Sequence, residues 1–303
     1  MSLAITVTEA PPVATPRRPR RSWLPLAFIA PATALVIAVS IYPVFDAVLL
    51  SLHATRYAQK LQFVGLDNYL ALLKDHTVWD DALTAVVYTV GSLALVIPYA
   101  LAVALLLNRP MRFRGVVRTL AILPWVFSQT VTALLWGWLL NPEFGPVTYV
   151  AQQVTGGPAA LLASPTGAMA ALVGVNVWSS YPMAALLFLA ALQTIPADLY
   201  EAMRMDGAGK VSLFRYITVP MITPTLVVIL IQLTLLYFNM VTLIYVLTGG
   251  GPVGSTQTLA LRVLKMSFEN WDLGRGAALG LVLTFVNLAL SLFYVRALRS
   301  PHR

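Results

Sequence analysis

Cysteine is absent from all 303 residues, which removes disulfides, thiolate metal sites and cysteine nucleophiles together. Histidine is nearly as scarce: His53, His76 and His302 are the only three and stand far apart, so an imidazole-based metal site is excluded with them. Charge is the third scarcity. Asp, Glu, Lys and Arg supply 11% of the chain against 58% hydrophobic residues, too little polar surface to keep a chain of this length in water. Every Asp and Glu falls in a loop, at the edge of an apolar run or in the tail. Paired-acid catalysis inside the runs is thereby excluded, and ion-coupled transport loses the buried carboxylate that usually binds its ion.

In place of these the chain has long apolar runs, each able to cross about 30 Å of hydrocarbon as a helix. They predict an all-α polytopic membrane protein with six transmembrane helices, roughly 23–45, 83–107, 117–140, 167–192, 219–247 and 277–298. The turn signals Gly156-Gly157-Pro158, Ser164-Pro165 and Gly249-Gly250-Gly251-Pro252 limit the two longest runs to one helix each. Residues 1–21, rich in Pro, Thr and Ala, read as a disordered cytoplasmic tail, and 22–300 as the transmembrane domain. The Arg17–Arg21 block before the first run imitates a secretory signal. That run exceeds a signal's apolar core and five more follow, so it reads as a retained helix.

Lys and Arg set the orientation. With six spans, one face collects fourteen of them, at 17–21, 109–118, 204–215 and 296–303, and the other face six. The richer face is cytoplasmic by the positive-inside rule, which places both termini there. The net charge of +8 is accounted for by topology, with no nucleic-acid partner needed. A phosphate-loop imitation at Gly249–Thr256 lacks the lysine before Ser255 and faces outward in this orientation. It reads as a rigid external turn. The external stretch 46–81 is too short for a catalytic domain and serves equally well as a cap or as a contact for another protein.

One polar insert interrupts the apolar pattern on the cytoplasmic face, at 196–218. A short helix is expected after Pro196, with Asp198, Glu201 and Asp206 near its start and middle. Tyr200, Met203 and Ala208 form an apolar side, Gly207 and Gly209 permit a sharp exit, and a second short turn with Phe214 and Ile217 leads to Pro220. Such a knob is a docking surface or a helix lying in the headgroups.

The residues Glu201-Ala202-Met203, Asp206-Gly207-Ala208, Phe214, Ile217, Val219-Pro220 and Pro224 resemble the EAA loop of the membrane subunits of binding-protein-dependent ABC importers. Met203 stands where alanine is usual and Val219 where leucine is usual. The similarity runs on through Ile122-Leu-Pro-Trp125, Asn176-Val-Trp-Ser-Ser-Tyr-Pro182, Ile195-Pro196 and Leu247-Thr-Gly-Gly-Gly-Pro252, and covers roughly residues 20–300. Together these look like the carbohydrate-uptake group, similar to maltose or glycerol-phosphate permeases.

The resemblance implies a non-enzymatic permease subunit in a bacterial inner membrane, with no cofactor of its own. It implies a second, homologous permease subunit, a dimer of cytoplasmic ATPase subunits that bind ATP and Mg, and an extracytoplasmic sugar-binding protein. Glu201, Ala202, Met203, Asp206, Gly207 and Ala208 would then couple to the ATPase.

A sugar path needs aromatic faces and neutral hydrogen-bonding groups near the bilayer midplane. Trp125 and Gln129 are spaced to share a face of helix three, Asn176 and Ser180 share one of helix four, and Tyr237 and Asn239 lie midway along helix five. In the maltose-permease pattern the sugar contacts fall at Trp125, Gln129, Asn176, Ser180 and Tyr237. Such polar groups also bond neighbouring helices in membranes. An ion-coupled secondary transporter of a small neutral solute is the alternative, and a membrane enzyme lacks any catalytic cluster.

Overall fold

The computed structural model describes residues 24–57, 59–155 and 160–299. The expected tail at 1–21 and the Gly156-Gly157-Pro158 signal lie outside them. In chain order the elements are α1 (Leu24–Ser51), a hairpin of β1 (His53–Arg56) and β2 (Gln59–Phe63), α2 (Asp67–Lys74), α3 (His76–Leu107), α4 (Arg114–Val126), α5 (Gln129–Leu139) and α6 (Pro146–Thr155). After these come α7 (Pro165–Gln193), α8 (Ala197–Met205), α9 (Lys210–Leu213), α10 (Val219–Phe238), α11 (Thr242–Leu247), α12 (Leu259–Leu264) and α13 (Leu273–Arg299). A π-helical turn joins α9 to α10 at Phe214–Thr218, and another follows α12 at Lys265–Glu269.

Among the described residues, five helices are long and apolar enough to span a membrane, and a sixth span results if α4 and α5 count as one bent pair. Three expectations change. The third span is not one rod: Phe127 is extended, Ser128 caps α5 by accepting from the Val131 N–H at 3.3 Å, and α4 and α5 meet at 96°. The fifth span starts at Lys210 rather than 219, so Phe214 and Ile217 belong to the rod itself. That rod ends at Phe238, where Asn239 leaves helical geometry before α11 begins.

α1 belongs to two compact units, 1–46 and 47–303, and the core lies in the second. α3 runs along α7, and α10 packs on both. Lipid is as apolar as leucine, so close packing rather than a hydrophobic drive holds such helices together. Ala100, Ala104, Ala184 and Ala185 are buried in the core and bring backbones near each other, while Tyr88, Phe188, Leu172 and Ile229 fill the larger spaces. A smaller cluster around Leu72, Phe238, Leu259 and Leu279 joins α2, α12 and α13.

The stretch 46–81 folds as the hairpin and α2, fastened to the start of α13. Thr55 Oγ1 accepts from the Gly274 N–H at 2.7 Å, and Asn68 donates to the Ser51 and His53 carbonyls at 2.8 and 3.0 Å. Asp75 caps α3. Its carboxylate accepts from Thr77 Oγ1 at 2.6 Å and from the Thr77 N–H at 2.9 Å. The hydroxyl bond leads in holding the acid below its ordinary range, so this cap is complete at neutral pH and fades as pH falls through the lowered value.

The glycine-rich stretch is the turn expected from the sequence. Gly249, Gly250 and Gly254 have φ of 61°, 89° and 76°, a region open to glycine. At Gly250 a Cβ would also stand 3.1 Å from Leu261 Cδ2. Thr256 donates to the Gly251 carbonyl at 2.7 Å, and Lys265 Nζ to that of Gly249 at 2.6 Å.

Candidate functional site

Two places combine exposed or unpaired polar groups with a defined shape. The first is the insert 196–218. α8 starts after Pro196 and carries Asp198 in its first turn and Arg204 in its last, both favourable for the helix dipole. It ends in a Schellman motif: Ala208 N–H donates to the Met203 carbonyl and Gly207 N–H to that of Arg204, each at 3.0 Å. Gly207, at φ 83°, is the left-handed residue the motif requires.

Asp206 stands at the C-cap of α8, not near its start or middle. An acid there opposes the dipole, so helix stability does not explain it. Tyr200, Met203 and Ala208 pack against the core, which makes them the helix's inward edge. The outward edge carries Asp198, Glu201, Ala202 and Met205, with Leu199 and Asp206 beside it. Met205 is 88% exposed and Val211 79%. These two apolar residues were missed from the sequence, although a methionine one helical turn after Glu201 and next to Asp206 was a visible signal.

The second place is a cavity of about 240 Å³ at the bend between α4 and α5, closed by α7 and α10. Trp125, Gln129, Asn176 and Ser180 all line it. Trp125 and Gln129 do not share a helix face; they belong to α4 and α5, and the bend brings them together. Phe127 stacks on Trp178 with centroids 6.3 Å apart, and Trp136 meets Trp178 edge-on at 5.6 Å. Trp136 and Trp178 therefore buttress the bend.

Asn176 is 1% exposed, and neither its amide nitrogen nor its oxygen has a hydrogen-bond partner among the described residues. The buried Thr132 hydroxyl, on the same cavity wall, is also unpartnered. Buried polar groups are seldom left so, because each costs about 1–3 kcal/mol. Ser180 is already engaged: its hydroxyl donates to the Asn176 carbonyl at 2.6 Å and shares a 2.6 Å bond with the Tyr237 hydroxyl. With Ser180 donating to Asn176, Tyr237 must donate to Ser180.

Tyr237 itself lines no part of the cavity. It is buried behind Ser180, edge-on to Tyr88 at 6.4 Å. Asn239 lies at the mouth of an adjoining groove of about 520 Å³ that shares Gln129, Leu236 and Met240 with the cavity. It exchanges two amide bonds with Asn287 of α13, at 2.9 and 3.0 Å. Gln232 lines this groove too. Thr132, Gln232 and Asn287 were not singled out from the sequence, although hydroxyl and amide side chains inside apolar spans were the available signal. Among the described residues, no charged side chain lines either space.

Replacing Asn176 with leucine is expected to separate stability from function. Loss of the orphan amide should leave the thermal midpoint in detergent unchanged or raised, while solute uptake falls at least about tenfold. A lowered midpoint with normal uptake would show that the amide serves packing alone.

Residues 94–300 match the family model described as binding-protein-dependent transport system inner membrane component. The chain is 33% identical to the trehalose/maltose transport system permease protein MalF of Thermococcus litoralis, over 91% of this chain and 94% of that one. It is 32% identical to the sulfoquinovosyl glycerol transport system permease protein SmoG of Agrobacterium fabrum, over 91% of each. Among solved structures it resembles a chain of a bacterial ABC transporter involved in import of the acidic polysaccharide alginate. There the TM-score is 0.81 at 21% identity, over 93% of this chain and 97% of that one.

Proposed function

The chain belongs to the family of binding-protein-dependent transport system inner membrane components, and from that premise we propose that it is one permease half of an ATP-driven importer of a neutral sugar or related polyol. It is a multi-pass membrane component and not an enzyme. A second, homologous permease subunit covers the exposed face around Trp125, Gln129, Gln232 and Asn239. A cytoplasmic ATPase dimer binds ATP and Mg and receives the insert 196–218, and an extracytoplasmic binding protein delivers the sugar. Both termini are cytoplasmic.

The observation that carries this reading is α8, whose inner edge is fixed to the core and whose outer edge offers acids around the bare Met205. Glu201 and Asp206 meet cationic or amide donors on the ATPase, and Ala202 and Met205 fill its apolar floor. Met203 and Ala208 act from the other side, anchoring the helix to the permease; Gly207 makes the turn. Closure of the ATPase dimer on ATP then moves α8, and through α9 the rod Lys210–Phe238 that borders the cavity.

The cavity suits a neutral hydroxylated ring. Trp125, 53% exposed, supplies an aromatic face, and Asn176, Gln129 and Thr132 supply neutral donors and acceptors. Ser180 contributes a lone pair, and Tyr237 orients it from behind. The relatives named for sulfoquinovosyl glycerol and sn-glycerol-3-phosphate handle anionic solutes, but no cation stands on these walls to meet one.

Proteoliposomes holding this chain with both partner subunits should accumulate the binding protein's sugar only with internal or external MgATP on the ATPase side. Vesicles holding this chain alone should not respond to a proton or sodium gradient. Accumulation by the chain alone under an ion gradient would overturn the reading in favour of secondary transport.

A further inference from the structure

Two soft joints lie in series between α8 and α10, the part of the rod that borders the cavity. The first is the turn at Gly207, where φ is 83° and a Cβ would touch nothing within 4 Å. The second is the π turn at Phe214–Thr218, closed by Val219 N–H on the Phe214 carbonyl. A π turn is wider and less regularly bonded than α-helix, and such turns concentrate where helices must adjust. A push on α8 transmitted only along the chain would be absorbed at both joints.

One side-chain contact spans them. The Tyr200 and Thr218 hydroxyls lie 3.0 Å apart, and Thr218 Oγ1 also reaches the Leu213 carbonyl at 3.4 Å. Thr218 donates to that carbonyl, which leaves its oxygen to accept from Tyr200. Thr218 is buried, and the Tyr200 ring packs on the core, so water competes poorly for this bond. The neighbour of Tyr200 in sequence is Glu201, on the outward edge of α8.

We infer that Tyr200 is a positioning residue for energy coupling: its hydroxyl bond to Thr218 ties α8 directly to the residue that opens α10, bypassing the Gly207 turn and the π-helical residues before Thr218. This rests on the importer reading above. Tyr200 touches neither solute nor nucleotide; it converts displacement of α8 into displacement of the rod instead of into flexing of the connection.

Because the chain lacks cysteine, a single Val253→Cys carries an environment-sensitive fluorophore on the fully exposed external turn. The chain is assembled with its partner permease and ATPase in nanodiscs, and the probe is read before and after trapping with MgATP and vanadate. Tyr200→Phe keeps the ring and should leave ATPase retention and ATP hydrolysis intact. The trapped fluorescence change should fall about fivefold, the effect of losing roughly one net hydrogen bond. Thr218→Val should match it, the pair together should be no worse than either alone, and Thr218→Ser should behave as the parent. A full signal in Tyr200→Phe, or losses that add in the double variant, would overturn the tie while leaving the importer reading intact. No response in the parent complex would remove the importer reading, and the tie with it.

Discussion

Gly207→Pro is expected to abolish ATP-driven uptake, to below about one hundredth of the parent level, while the chain still inserts and assembles in the membrane. Proline fixes φ near −65°, whereas position 207 requires 83°. It also removes the N–H that donates to the Arg204 carbonyl, so the Schellman motif cannot form. α8 would then leave its docking angle, and Ala208 its seat against the core. Glu201→Lys tests the same surface without touching the backbone, since Glu201 is exposed in the middle of α8. It should leave thermal stability unchanged and weaken retention of the ATPase about tenfold or more by placing a cation where donors are expected. Uptake in membrane vesicles and co-purification of the ATPase measure both. Normal transport by the two variants would remove the docking role of this helix.

The second large effect is expected in the first turns of α3. Asp81 and Arg262 form an ion pair with side chains only 5% and 14% exposed. Gln257 adds a bond to Asp81 at 3.1 Å, and Lys265 Nζ joins Gln257 at 3.3 Å and the Gly249 carbonyl at 2.6 Å. The cluster clamps the glycine-rich turn to α3 through residues 181 positions apart. Asp81→Ala leaves a mostly buried guanidinium with the more exposed Asp75, 3.8 Å away, as its remaining acid, and should cost about 2 kcal/mol, because breaking one side of a buried pair leaves its charge poorly compensated. Asp81→Leu combined with Arg262→Met should recover most of that loss, since apolar replacements of a buried pair are often neutral. Thermal unfolding in detergent, followed by tryptophan fluorescence, reads both. If the single variant lost under about 1 kcal/mol, or the double variant fell below it, the pair would not be the clamp described.

This cluster also bears on the competing mechanism. Asp81 is a buried carboxylate near a membrane face, and ion-coupled transporters use such groups. Here its partners are already Arg262 and Gln257, so it holds a loop and has no open coordination to offer an ion. Sequence reading left Asp81 at the end of the stretch 46–81, before a span expected from 83; α3 starts instead at His76, and Asp81 is buried within it. Its burial depended on residues far along the chain that a local reading does not pair.

Composition and run length determined the class of this protein, because a chain so poor in charge cannot shed its apolar segments from lipid, and lipid admits closed helices. The spacing of Glu201, Asp206, Gly207 and Pro220 disclosed the insert and its turn, since Pro and Gly act locally on the backbone whatever surrounds them. Only the tertiary structure decided the rest. The 96° bend at Phe127 joins Trp125 to Gln129 across two helices, where a straight 3.6-residue period had joined them on one. It decided that Tyr237 stands behind Ser180, that the Asn176 side-chain amide has no hydrogen-bond partner among the described residues, and that Met203 faces inward while Met205 faces water. Which side of a helix is covered depends on its neighbours, and a nearly all-apolar sequence records little of that, because in a membrane both the lipid side and the packed side are made of the same residues.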